Sequence, residues 1–151
     1  MPPPRSIFLI VATVGAFTSP GPPRTRGVHR FVTRPDGEMD PAEFEKALVA
    51  MTAFSNRYVK LTDTKYCEEP SVTSVVIRGL AEHKVTLGAP LCPCRFYEDK
   101  HEEARDGYWN CPCVPMRERK ECHCMLFLTD DNDFVGESTD ITIEEVKALT
   151  A

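Results

Sequence analysis

Six of the seven cysteines fall into three Cys-x-Cys pairs, Cys92-Pro93-Cys94, Cys111-Pro112-Cys113 and Cys122-His123-Cys124, all inside 33 residues of a 151-residue chain. The seventh, Cys67, stands alone 25 residues before the first pair. An odd count argues against a purely paired disulfide scaffold. Cysteines one residue apart are also a strained choice for bridging each other, because bridged Cα atoms normally sit about 4.4–6.8 Å apart with defined torsions.

Closely spaced thiols point instead to metal or redox chemistry, and thiolates are soft ligands that select zinc, copper(I) or iron–sulfur clusters. A structural zinc site uses knuckles with two to four intervening residues. Here one residue intervenes, and twice it is proline, which fixes its own backbone angle and holds the preceding residue out of the helical region. The two thiols of such a pair are expected to point apart. That suits a pair split between two tasks, or ligands to two irons of a larger cluster. Six cysteines divide naturally into four ligands, enough for a cubane [4Fe–4S] cluster, and two others able to form a redox-active disulfide. Spacing alone does not say which four ligate.

The length is that of one domain with at most a short appendage. With 42% hydrophobic and 27% charged residues, the composition is that of a soluble globular protein. Charge divides the chain. Residues 1–35 carry Arg5, Arg24, Arg26, Arg30 and Arg34 and no acid, while the remainder carries 13 basic and 23 acidic residues. An acidic body does not suit nucleic acid, whose binding needs cations to displace counterions from phosphate, and it disfavours anionic membrane surfaces for the same reason.

Residues 7–17 form an apolar run of eleven behind Arg5. A membrane span needs roughly 20 such residues, so this run reads as a signal-peptide core, with Val14-Gly15-Ala16 as the small-residue cleavage pattern. The basic stretch that follows, from Phe17 through Arg26, looks like an organelle transit peptide. Together they resemble the two-part plastid address of algae with secondary plastids, in which an Ala-Phe junction such as Ala16-Phe17 is characteristic. The expected division is a targeting segment over 1–35 and a working domain over 36–151, with the mature start near residues 30–38. A reducing destination weakens the disulfide-scaffold reading further.

In the body, Asp40-Pro41-Ala42-Glu43 is a helix start: Asp40 can cap, proline suits the first helical position, and Glu43 can close a capping box. Phe44, Leu48, Met51, Phe54 and Tyr58 then mark one face of a helix over about 41–60. Ser71 to His83 is predicted as a second helix with Val72, Val75, Val76 and Leu80 inward, ended by Gly88 and Pro90. Asp99–Arg105 is expected to be a short helix, Met125–Leu128 a strand or a buried helical turn, and 129–138 an acidic loop. Thr142 and Glu145 offer a capping box for a last helix to about Leu149. The fold class is mainly α, a small single domain of helices with the cysteines on the connections.

The cysteine spacing of sixteen and then eight residues, with Leu91 to Lys100 (LCPCRFYEDK) and Tyr108 to Leu128 (YWNCPCVPMRERKECHCMLFL), is similar to the signature of the catalytic chain of ferredoxin–thioredoxin reductase. The resemblance runs over about residues 38–148. It implies an oxidoreductase that reduces thioredoxin disulfides with electrons from ferredoxin. Cys92, Cys111, Cys113 and Cys122 would hold a [4Fe–4S] cluster. Cys94 and Cys124 would form the active-site disulfide, with Cys94 as the thiol that attacks thioredoxin and Cys124 beside the cluster. His123 would trade protons with the thiols, as suits a side chain titrating near neutrality.

The resemblance also implies a heterodimer with a noncatalytic variable subunit, a thin disc with ferredoxin on one side and thioredoxin on the other, and a plastid stroma setting. Arg95, Lys100, Arg117, Arg119 and Lys120 read either as solvated charge, with Arg117 to Lys120 balancing a net-negative cluster, or as a docking patch for acidic ferredoxin. Trp109 is expected to cover the cluster region against water, Cys67 to be a small buried apolar residue without a catalytic role, and His83 and His101 to lie on the surface. The other readings are a zinc-stabilised interaction module and a simple iron–sulfur electron carrier.

Overall fold

The structure, a computed structural model, describes residues 39–151; the targeting segment predicted over 1–35 lies outside them. Five helices follow in order: α1 (Pro41–Thr62), α2 (Pro70–Leu87), α3 (Lys100–Asp106), α4 (Val114–Arg119) and α5 (Ile143–Leu149). The class is mainly α, as the sequence implies. Extended pairing among the described residues is limited to isolated antiparallel bridges, Lys65 with Leu128, Cys67 with Val135 and Leu91 with Asn110. No helix among these residues is long and apolar enough to cross a membrane.

Local chemistry sets the helix ends. Asp40 caps α1 by accepting from the Ala42 amide, with Pro41 in the first turn. Glu43 does not close a box; it pairs with Lys46 at 3.0 Å instead. Gly88 ends α2 in the left-handed conformation, at φ 78°, which glycine adopts without steric cost. Asp99 caps α3 through the His101 and Glu102 amides. At α5 the predicted Thr142–Glu145 capping box is present in both directions. The sequence gives no expectation for α4, which begins Val114-Pro115 directly after Cys113.

Helix α2 packs on α1, α5 and α3. Leu48, Met51 and Val59 of α1 meet Val76, Ile77, Leu80 and Ala81 of α2, Val146 of α5 and Met116 of α4 in one buried cluster. The inward face of α2 is turned from the predicted one. Val75 is exposed, while Thr73, Ser74 and Ile77 are buried. Phe44, Phe54 and Tyr58 of α1 sit at the margin of the core. Leu126, Phe127 and Leu128 are buried in a turn rather than a strand, and Leu128 exchanges backbone bonds with Lys65 at 2.8 and 2.9 Å. The core continues without a break into Cys92, Cys113 and Cys124, so the cysteine loops rest directly on the α1–α2 pair.

Candidate active site

Two backbone bonds bring the first two cysteine pairs together. The Cys92 amide donates to the Trp109 carbonyl at 3.0 Å, and the Cys111 amide donates to the Pro90 carbonyl at 2.9 Å. The segments before each Cys-Pro-Cys thus run antiparallel as a minimal ladder. Tyr97, buried, donates its hydroxyl to the Cys92 carbonyl at 3.0 Å. His83 of α2 holds the same segment through Nδ1 and the Leu91 carbonyl at 2.7 Å, with Lys100 Nζ near Nε2 at 3.4 Å. Nδ1 therefore donates to that carbonyl, and the ring is half-buried, whereas the sequence places it on the surface. Gly79 of α2 faces Pro93: a Cβ there would meet Pro93 Cβ at 2.7 Å, so the glycine lets the first Cys-Pro-Cys turn seat against the helix.

The third pair is placed by α4 and the turn behind it. Lys120 closes α4 with a left-handed φ of 56° and reaches across to the Thr62 carbonyl at the end of α1, 3.0 Å away. Met125 also takes a positive φ, 56°, a conformation that costs a non-glycine residue roughly 1–2 kcal/mol. It turns the chain so that the amides of Phe127, Leu126 and Cys124 face the Cys122 sulfur. Convergent amides of this kind form a nest for negative charge. Burial remains the larger effect and leaves the Cys122 thiol raised, with the three amides opposing it.

A cavity of about 400 Å³, measured out to its open mouth, is lined by Cys92, Cys111, Cys113, Cys122 and Cys124, with His123 and Arg95 at its polar edge and Trp109, Met116 and Leu126 among its apolar walls. All four predicted ligands therefore face one space. Cys94 is exposed and outside that lining, yet Cys92, Cys94 and Cys124 have sulfurs that all lie within 4.8 Å of one another. Cys92 Sγ and Cys124 Sγ are 2.7 Å apart. The thiols of the first pair do not diverge as the proline predicts; the turn at Pro93 folds both toward Cys124. His123 lies between its two neighbouring cysteines as expected, Trp109 is on the cavity wall as expected, and Cys67 is buried away from the site.

The three close sulfurs share charge unequally. Hydrogen bonds from Cys124 and then Cys94 hold Cys92 down at about 3, against the effect of burial. For Cys94 a bond from Cys124 lowers the pKa, but the bond to Cys92, burial and the Cys92 charge together push it up to about 12. Cys124 is raised by its bonds to Cys92 and Cys94 and by burial. Within the trio the hydrogen bonds favour negative charge on Cys92 over Cys94 and Cys124. Burial, then the neighbouring thiolates, raises Cys111 well above the usual thiol range.

The predicted basic group is dispersed. Arg95 lies 3.6 Å over the Trp109 ring, Arg119 pairs with Glu121 at 3.0 Å, and Lys120 is bound to Thr62. Arg95 also lowers the pKa of Cys92, after the hydrogen bonds from Cys124 and Cys94. The sequence reading missed Tyr97, His83, Gly79 and Met125. An isolated glycine inside a helical pattern signals a packing reason, so Gly79 alone left a trace.

The donor set fits a thiolate-held metal group: soft ligands, an apolar wall and amides aimed at one sulfur. A single zinc with sulfurs at about 2.3 Å would draw its four thiolates to about 3.8 Å from one another. Among the described residues the trio of Cys92, Cys94 and Cys124 is close enough to share one ion, whereas Cys111, Cys113 and Cys122 stand around the cavity apart from that trio.

Comparison with known proteins agrees with this chemistry. Residues 41–149 match the family described as ferredoxin thioredoxin reductase catalytic beta chain. The catalytic chain of ferredoxin–thioredoxin reductase from Synechocystis is 64% identical over 109 residues, 70% of this chain and 92% of that one. A chloroplastic catalytic chain from Spinacia oleracea is 57% identical over 114 residues, 76% of this chain and 78% of that one. The Arabidopsis thaliana chloroplastic chain is 57% identical over 129 residues, 85% of each. With its cysteines gathered at one cavity and this match running from the start of α1 to the end of α5, the chain belongs to the ferredoxin–thioredoxin reductase catalytic chain family.

Proposed function

We propose that this chain is the catalytic subunit of a ferredoxin–thioredoxin reductase, a disulfide oxidoreductase that takes electrons from ferredoxin and reduces thioredoxin. The observation that carries the reading is the placement of five of the six motif cysteines around one cavity, with the sixth, Cys94, outside it beside Cys124. Cys92, Cys111, Cys113 and Cys122 would hold a [4Fe–4S] cluster. Bound there, such a cluster supplies one-electron chemistry beside a bond whose opening takes two electrons. Cys94 and Cys124 are the exchanging pair. Their sulfurs lie near each other and near one assigned ligand, Cys92.

With both thiols reduced, the chain's own steps balance without further reagents. The Cys94 thiol gives its proton to His123 as its sulfur attacks one sulfur of the thioredoxin disulfide. That bond breaks, a mixed disulfide forms on Cys94, and the other thioredoxin sulfur leaves as a thiolate and takes a proton. Cys124, deprotonated, then attacks the Cys94 sulfur, re-forming the Cys94–Cys124 bond and releasing the second thioredoxin thiolate. Two electrons have passed to thioredoxin. His123, exposed at the cavity edge between Cys122 and Cys124, is the group that accepts and returns those protons. Exposure of Cys94 and burial of Cys124 match attack from solvent followed by internal closure.

The same reading assigns residues 1–35 as a two-part plastid address and 36–151 as the catalytic domain. The chloroplastic names of the plant relatives support the plastid. Their description as catalytic chains supports a second, noncatalytic subunit in a heterodimer. In the deciding experiment, Cys94→Ser keeps iron and acid-labile sulfide after anaerobic purification and loses thioredoxin reduction, while Cys111→Ser loses the metal. Iron loss from Cys94→Ser would overturn the ligand assignment.

A further inference from the structure

Phe96 is 89% exposed, the most exposed large apolar side chain among the described residues. It lies two positions from Cys94, the exposed thiol of the site. Both flanking side chains are engaged elsewhere: Arg95, itself exposed, rests on the Trp109 ring, and Tyr97 is buried with its hydroxyl on the Cys92 carbonyl. Packing within the described residues does not account for a phenylalanine left in water at this point. Tyr108, 40% exposed, is edge-on to Trp109 at 4.8 Å, so Arg95, Trp109 and Tyr108 stack on one another, and Phe96 follows Arg95 directly in the chain.

The geometry points to Phe96 as the docking anchor for the disulfide-bearing protein client, its ring entering a recess next to the client's reactive disulfide. The inference rests on the assignment of Cys94 as the attacking thiol and adds the surface that recognises the client. A covalent constraint fixes the occupant. In the mixed disulfide a client sulfur lies about 2.05 Å from Cys94 Sγ, and the Phe96 Cα is within about 7.6 Å of the Cys94 Cα, two peptide units along. A folded protein bonded to Cys94 therefore comes within reach of Phe96. Aromatic and arginine side chains are also the types that concentrate binding energy at protein interfaces.

The test uses the loaded full chain with its noncatalytic subunit and the Phe96→Ala and Phe96→Leu variants. Noncovalent affinity is measured by calorimetry with a thioredoxin whose two active-site cysteines are serine. Phe96→Ala is expected to weaken binding about tenfold or more and to raise KM for native thioredoxin in step, with kcat held within about twofold. Phe96→Leu recovers part of the loss. The visible spectrum and the rate with hydroxyethyl disulfide, a probe too small to need docking, stay unchanged. Unchanged affinity overturns the proposal. So does a loss of the noncatalytic subunit on gel filtration, which would make that chain the occupant, or an equal fall in the hydroxyethyl disulfide rate. Wild-type protein that binds thioredoxin but cannot reduce it sinks the functional reading alone.

Discussion

Tyr97 holds the Cys92 carbonyl with a hydroxyl buried behind the motif, and burial followed by the charge of Cys92 raises its pKa, so the phenol stays a donor throughout the neutral range. Phenylalanine at this position would keep the ring and lose the bond. Tyr97→Phe is expected to cost about 1 kcal/mol, read as a lower urea midpoint at unchanged slope, with the metal content intact. A loss of iron instead would give the hydroxyl a part in holding the ligand frame. The cysteines themselves are readable from spacing because chemistry demands their type at their place. Tyr97 and His83 are not, since a phenol or an imidazole that bonds one distant carbonyl leaves no periodicity in the chain.

Helix α2 carries the most consequential compromise. Alanine at position 79 would favour the helix by about 0.8–1.0 kcal/mol, yet its Cβ would press on the Pro93 ring at 2.7 and 3.0 Å. That ring sits in a turn tethered on both sides by site cysteines and has no flexible end to swing away. Gly79→Ala should therefore lower stability by about 1 kcal/mol or more despite the better helix. It should also reduce iron per chain; a variant both more stable and fully loaded would mean that the turn is not seated there. Helices α1, α3 and α5 are legible within a residue or two because Asp40, Asp99 and Thr142 act on their own neighbours. The short α4 is not. Two prolines and a left-handed Lys120 obscure it, and it is stabilised by burial of Pro115 and Met116 rather than by its own sequence.

Across the whole molecule, the α1–α2–α5 pack and the cysteine loops draw on different sources of stability. Val59, Ile77 and Val146 are fully buried among helices. The loops from Pro90 to Leu128 surround a cavity lined by thiols, and on the proposed assignment metal binding there is folding free energy. Removing the metal should leave the Val59 and Ile77 amides slow to exchange while the Cys92 and Cys111 amides, bonded to Trp109 and Pro90, lose protection. Hydrogen exchange with and without chelator reads both. Uniform loss across the chain would show a single cooperative unit instead. Spacing on the sequence reveals six thiols with a common purpose, but not that two of the three pairs meet through a ladder only two hydrogen bonds long.

Trp109 is the sole indole of the protein, and it lies under Arg95 on the wall of the cavity. Its indole emission is thus an intrinsic optical gauge of this one spot. Quenching on metal uptake, or a wavelength change when a client settles on the neighbouring surface, can be followed in real time without attaching a dye.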